Sequence, residues 1–274
     1  MEALLVAENL GKLYGLRPVL RGVSLTVARG EFVAVLGANG AGKTTLLKIL
    51  ATLVRPNTGA LRVDGIDALT HASRARARIG VVSHQSLIYP DLTAYENIRF
   101  YADMYGARVS SSTAQTAPGS PGADQSPIER TLRSVELWQR KDDLARTFSR
   151  GMIQRLSIAR AIVHDPPLLL FDEPFTGLDQ SSAANLSALL RQTALNGRAV
   201  IMTSHELSRG LDGVTRALIL KGGRIEYELD TGLTPEHLTE LLAAPSTLRQ
   251  PSFATGGDTS PATDGSDSGG GRSA

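Results

Sequence analysis

The chain has 274 residues, 42% of them hydrophobic, enough to bury a sizeable core as one large domain or two closely joined ones, and its formal net charge of +2 is too small to imply a polyanionic partner. It has no cysteine, which excludes disulfides, thiolate metal sites and cysteine nucleophiles and fits a reducing compartment, so the cytoplasm is the expected setting. No run of about 18 apolar residues occurs, and the start lacks a basic stretch before a long apolar one, so neither a membrane span nor an export signal is expected.

Residues 4–6 and 23–27 are β-rich, and Ala28-Arg29-Gly30-Glu31 reads as a turn feeding the short apolar strand Phe32-Val33-Ala34-Val35-Leu36. Directly after it comes Gly37-Ala38-Asn39-Gly40-Ala41-Gly42-Lys43-Thr44. In this spacing the glycines let the backbone wrap phosphate oxygens and the amides point inward at the start of a helix. Lys43 reaches the β- and γ-phosphates, and the Thr44 hydroxyl can ligate magnesium. Leucine and isoleucine spacing predicts that helix over residues 44–53, stopped by Arg55-Pro56-Asn57-Thr58-Gly59. Arg74, Arg76 and Arg78 alternate with small residues and predict a solvated face before a strand at 79–82. No aromatic platform accompanies them, so no nucleic-acid partner is expected.

From residue 92 to about 163 the pattern turns helical, with helices predicted over 94–105 and 128–137. Between them, residues 110–127 are rich in Ser, Thr, Ala, Gly and Pro and predict a flexible loop, dispensable for hydrolysis. The β/α alternation resumes at Leu168 in an apolar run that ends Phe171-Asp172-Glu173. An aspartate at the end of a buried strand can hold a magnesium shell, and a carboxylate immediately after it can polarise an attacking water. Alone the pair also reads as a solvated strand end; with the phosphate loop upstream it reads as nucleotide hydrolysis, Asp172 the metal residue and Glu173 the base. Residues 198–203 form a strand leading into Ser204-His205, and strands at 217–220 and 224–227 pair as a hairpin across Lys221-Gly222-Gly223. Beyond about residue 245 the composition predicts a disordered tail, which leaves one domain over 1–245, its helical subdomain at about 90–163, and a tail at 246–274.

Phe148-Ser149-Arg150-Gly151-Met152-Ile153-Gln154-Arg155, followed by Leu156-Ser157-Ile158-Ala159-Arg160-Ala161, resembles the signature segment of ABC-type ATPases, and the motif order is similar over roughly residues 2–230. The resemblance implies an α/β fold: a P-loop NTPase core with an antiparallel β subdomain and an inserted helical subdomain. On it, Tyr14 matches the adenine-stacking aromatic, with plain packing its other reading, and the phosphate loop runs from Gly37 to Thr45, including Asn39, Gly40 and Ala41. Gln85 matches the glutamine that senses magnesium and the attacking water. His205 matches the switch histidine, with a structural role its other reading, and Asp179 lies in the Gly177-Leu178-Asp179 loop used across the dimer interface. Arg150 stands where the commonest signature has the first of two glycines and Met152 where it has glutamine, while Ser149 and Gly151 keep a hydroxyl, an amide and a helix N-terminus for γ-phosphate.

The same resemblance implies ATP and Mg²⁺ as ligands and a second ATPase subunit, with a homodimer expected, each nucleotide closed between the loop of one subunit and the signature of the other. It also implies an integral membrane permease on a separate chain, which would hold this subunit on the inner face of the cell membrane. Residues 83–97 are similar to the haem exporter branch of cytochrome c maturation, and drug, polysaccharide or lipid exporters share much of that text. Leu87, Ile88 and Tyr89 lie where the family's membrane partners dock, with core packing as their other reading. An ABC ATPase without a membrane partner and a P-loop kinase are the rival readings.

Overall fold

The computed structural model describes residues 3–83, 85–106, 126–205 and 211–230. Most of the loop expected at 110–127 and the whole of the tail expected from 246 lie outside the described residues. In chain order the first half comprises β1 (Ala3–Tyr14), β2 (Arg17–Ala28), β3 (Phe32–Leu36), α1 (Lys43–Leu50), β4 (Thr58–Val63), β5 (Ile66–Asp67), α2 (Ala72–Arg76) and β6 (Ile79–Val82). The second comprises α3 (Ala94–Met104), α4 (Pro127–Ser134), α5 (Arg150–Ile162), β7 (Leu168–Asp172), α6 (Gln180–Leu195), β8 (Ala199–Ser204), β9 (Arg216–Lys221) and β10 (Arg224–Asp230).

Two sheets result. Four antiparallel strands run β2-β1-β4-β5, and a six-stranded sheet runs β10-β9-β3-β8-β7-β6, parallel except for the β9–β10 hairpin at its edge. The inner strands of the second sheet are apolar on both faces, as a parallel sheet covered on both sides requires. Alternation then sends each residue to one of two cores. Phe32, Ala34, Leu36, Leu169, Phe171, Val200 and Met202 pack with α3 to α6, whereas Val33, Val35, Leu168, Leu170, Ala199 and Ile201 pack with α1 and the antiparallel sheet. The carboxyl ends of β3 and β7 therefore open side by side with only β8 between them, and those ends carry the phosphate loop and Asp172.

Several element bounds differ from the sequence expectation. The strands at 4–6 and 23–27 are only the most apolar parts of two strands of 12 residues each, because cross-strand pairing carries polar residues such as Glu8 and Lys12 into the ladder. The first helix stops at Leu50 rather than 53, since Thr52 enters the left-handed region (φ 59°) and the next amides fold back on the Lys48 carbonyl. The helix expected at 128–137 ends at Ser134 for the same reason, with Glu136 at φ 59°. Arg74 and Arg76, expected on a solvated face, stand on the short helix α2.

The segment after β6 is gripped by the helices that follow it. Asn97 exchanges hydrogen bonds with Tyr89 and donates to Leu92 and Thr93 carbonyls, the Tyr101 hydroxyl donates to the Leu87 carbonyl at 2.6 Å, and Ser157 on α5 donates to the Ser86 carbonyl at 3.3 Å. Buried Arg160 donates to the Val81 carbonyl at 2.6 Å with its guanidinium over the Tyr101 ring. Of the three residues with two readings, Ile88 packs against the core, while Leu87 and Tyr89 are exposed, the Tyr89 ring edge-on to that of exposed Phe100 at 5.3 Å.

Candidate active site

The site is built on the start of α1. Helices α3, α4, α5 and α6 each begin with a side chain accepting a hydrogen bond from an early amide, from Thr93, Ser126, Ser149 and Asp179 respectively. Helix α1 begins with Gly42 and has no such cap, so its first amides are left for an external anion. Gly42 has φ 108°, and a Cβ there would stand 2.9 Å from Leu20 Cδ2 and 3.0 Å from the Val19 carbonyl oxygen, so the loop fits against β2 only without a side chain.

A cavity of about 680 Å³ opens over this loop, lined by Tyr14, Asn39, Gly40, Gly42, Lys43, Thr44, Thr45 and Glu173 among others. Lys43 is 5% exposed and donates to the carbonyls of Gly37 at 2.8 Å and Ala38 at 3.2 Å, and its Nζ lies 3.7 Å from Glu173 Oε1. Burial pushes its pKa down, and the Glu173 and Asp172 carboxylates pull it partly back. Thr44 Oγ1 donates to Asp172 Oδ1 at 3.1 Å. His205 Nδ1 lies 3.1 Å from Glu173 Oε2, a close approach whose angle is not that of a hydrogen bond. Tyr14 is 49% exposed at the cavity wall, outside the core, with the Lys12 ammonium over its ring, 5.3 Å from the centroid. Ala41 closes the loop by donating its amide to the Ala38 carbonyl at 3.2 Å.

Other expected residues stand elsewhere. Ser149 and Gly151 line a separate cavity of about 320 Å³ with Ser182 and Leu178, away from this chain's own phosphate loop. Asp179 caps α6, accepting from the Ser182 amide at 2.8 Å, and that bond holds its pKa below the usual carboxylate range. Gln85 follows β6 with its side chain exposed; its carbonyl accepts from Ser83 Oγ at 2.8 Å, and it does not line the cavity over Lys43.

A model of the ABC transporter family matches residues 20–176. The chain belongs to this family. Among similar proteins, the linearmycin resistance ATP-binding protein LnrL of Bacillus subtilis is 35% identical over 202 residues, 74% of this chain and 61% of that protein, so the chain spans under two thirds of its length. The lipopolysaccharide export system ATP-binding protein LptB of Haemophilus influenzae is 34% identical over 244 residues, 86% of this chain and 92% of that protein. A solved dimeric, post-hydrolysis structure of the ATP-binding cassette MJ0796, bound to ADP and Pi, has a TM-score of 0.70 at 26% identity and covers 84% of this chain and 100% of that one.

In this ABC ATPase domain the sequence reading missed Thr203. It pairs with Asp172 across the β7–β8 ladder and is fully buried; its hydroxyl donates to Asp172 Oδ1 at 2.8 Å and accepts from the Glu173 amide at 3.0 Å. Glu173 has φ 50°, a left-handed backbone unusual for glutamate, and the Thr203 hydroxyl pins it there. The signal was a hydroxyl residue at the end of an otherwise apolar strand, two residues before His205. Thr203→Val keeps the shape and removes the bond, leaving the Glu173 amide without this partner. The expected result is a roughly 10- to 100-fold fall in kcat with ATP affinity little changed, measured by phosphate release and calorimetry.

Proposed function

We propose that this chain is the ATP-hydrolysing subunit of an exporter, working as a dimer in which each site is shared, and driving a separate membrane subunit. The observation that carries the reading is the meeting of Lys43, Thr44, Asp172, Glu173 and His205 at the uncapped start of α1. In this reading the triphosphate oxygens take the α1 amides and Lys43, which gives up its bonds to the loop carbonyls, and the purine stacks on Tyr14. Glu173, released from Lys43 and oriented by Thr203, accepts a proton from the attacking water, with His205 beside its second oxygen and Gln85 moving in from the segment after β6.

Magnesium suits the donors present. Thr44 and Asp172 offer hard oxygens, and among the described residues no cluster of three His, Cys, Asp or Glu exists to hold an ion alone, which fits a cation completed by phosphate oxygens and water. When bound it would neutralise charge on the β- and γ-oxygens.

The names of the relatives above favour export of a drug or a lipid-like molecule, and they lend nothing to the haem branch suggested by residues 83–97. Among the described residues no helix is long and apolar enough to cross a membrane; the reading assigns the pathway to the separate membrane subunit. Exposed Leu87, Tyr89, Phe100 and Met104, on and before α3, suit an apolar partner segment. Magnesium-dependent phosphate release by the purified chain, and co-purification with a membrane polypeptide from detergent extracts of the native cell, test the reading. Tyr89→Asp with Met104→Asp is expected to abolish that co-purification and leave hydrolysis within about twofold, since neither residue touches the phosphate loop. A phosphorylated small-molecule product in place of free phosphate would favour the kinase reading instead.

A further inference from the structure

Arg150, the residue that stands where the commonest signature has glycine, is the first residue of α5, and its side chain turns toward the loop between β7 and α6. Its Nη2 donates to the Thr176 carbonyl at 3.2 Å, and its guanidinium lies against Gly177 so closely that a Cβ there would overlap Cζ and both terminal nitrogens. Gly177 has φ 72°, so glycine suits this position twice, for its backbone and for the plane resting on it. One turn along α5, Gln154 Nε2 donates to the Pro174 carbonyl at 3.4 Å. Both side chains line a cavity of about 170 Å³ whose other walls include Asp172 and Glu173.

The loop so held begins at Glu173. The Thr176 amide donates to the Glu173 carbonyl at 3.2 Å, so the residue that Arg150 grips is itself bonded to the backbone that sets the direction of the Glu173 carboxylate. Its other end is Asp179, which caps α6. The start of α5, with Ser149 as its cap, and the turn that aims Glu173 are therefore one hydrogen-bonded unit within a single chain.

We propose that Arg150 is a positioning residue for Glu173: its guanidinium plane, seated on Gly177 and bonded to Thr176, ties the turn after β7 to the start of α5, so that the general base is aimed only when α5 is in place. The inference rests on the ATPase reading above and adds to it a dependence of turnover, not of ATP affinity, on a contact between the signature turn and the Glu173 loop of the same chain. The contact requires a plane and not merely a charge. Lysine keeps the charge but cannot lie flat on a Cα or direct two nitrogens along it.

The test uses the full chain, with ATP and magnesium in steady state and with ATP titrated by calorimetry. Arg150→Gly is expected to lower kcat about 10-fold with KM and ATP affinity unchanged, and Arg150→Lys to recover little of that loss. Gly177→Ala is expected to lower kcat as well. In the Arg150→Gly background the same alanine should cost less, because part of its effect is expulsion of the guanidinium; the backbone strain at φ 72° is present in both backgrounds and cancels in the cycle. Arg150→Lys as active as the parent, fully additive effects of the two substitutions, or a loss confined to KM would each overturn the proposal while leaving the ATPase reading intact. Absence of magnesium-dependent turnover in the parent chain would overturn both. Arg150 is exposed, so its variants fold, and the lysine variant alone decides between plane and charge.

Discussion

Glutamine at position 173 is expected to leave ATP bound and to cut turnover by about 10²- to 10⁴-fold, the usual contribution of a general base. The amide matches the carboxylate in shape, so the loop from 173 to 178, the Thr203 bond to the Glu173 amide and the left-handed backbone all survive. What is lost is proton acceptance. The substitution also removes the carboxylate 3.7 Å from Lys43 Nζ, which competes with phosphate for that cation, so ATP affinity should hold or rise. With ATP trapped and the base gone, a closed dimer should accumulate and register by light scattering. Turnover close to that of the parent, with magnesium present, would remove Glu173 from its role.

Lys43→Ala is expected to damage binding and hydrolysis together. Lys43 is buried, donates to the Gly37 and Ala38 carbonyls and has Glu173 Oε1 3.7 Å from its Nζ, so the ammonium is held in place by the site itself. Charge-assisted hydrogen bonds of this kind contribute about 1.5–3 kcal/mol each, so losing the contact to phosphate should weaken ATP by roughly 10- to 100-fold. Turnover should fall further, because the same cation faces the charge that develops on the transferring group. The uncapped start of α1 remains, so some nucleotide binding persists. Unchanged affinity by calorimetry, with the fold intact by circular dichroism, would contradict the assignment.

The phosphate loop was legible in the sequence because its function resides in backbone amides at a fixed spacing from a strand and a helix, and residues 37–44 carry that spacing whatever surrounds them. Asp172 and Glu173 were legible only beside that loop: an acidic pair ending an apolar run also reads as a solvated strand end, and the phosphate loop upstream gives it a metal and a water to act on. The long strands β1 and β2 were not, since their polar residues are carried by pairing rather than by propensity. Thr203 and Arg150 act on partners 31 and 26 residues away, across a strand pair and a helix-to-loop contact that no local pattern records. Gln85 was placed in order, but where its side chain points depends on how α3 and α5 grip the segment around it.

The separation of Ser149 from Lys43 bears most directly on the claim that each site is shared between two chains, since the two residues line different cavities of one subunit. Mixing a Ser149→Arg chain with a Lys43→Ala chain gives a heterodimer with one site built from an intact phosphate loop and an intact signature, and a second site carrying both defects. Nucleotide-dependent association of that pair, followed by crosslinking or light scattering, is the measurement that decides. A shared site requires the heterodimer to form with ATP to a greater extent than either mutant homodimer. Association no greater than that of both homodimers would show that Ser149 does not act on the nucleotide of a partner subunit.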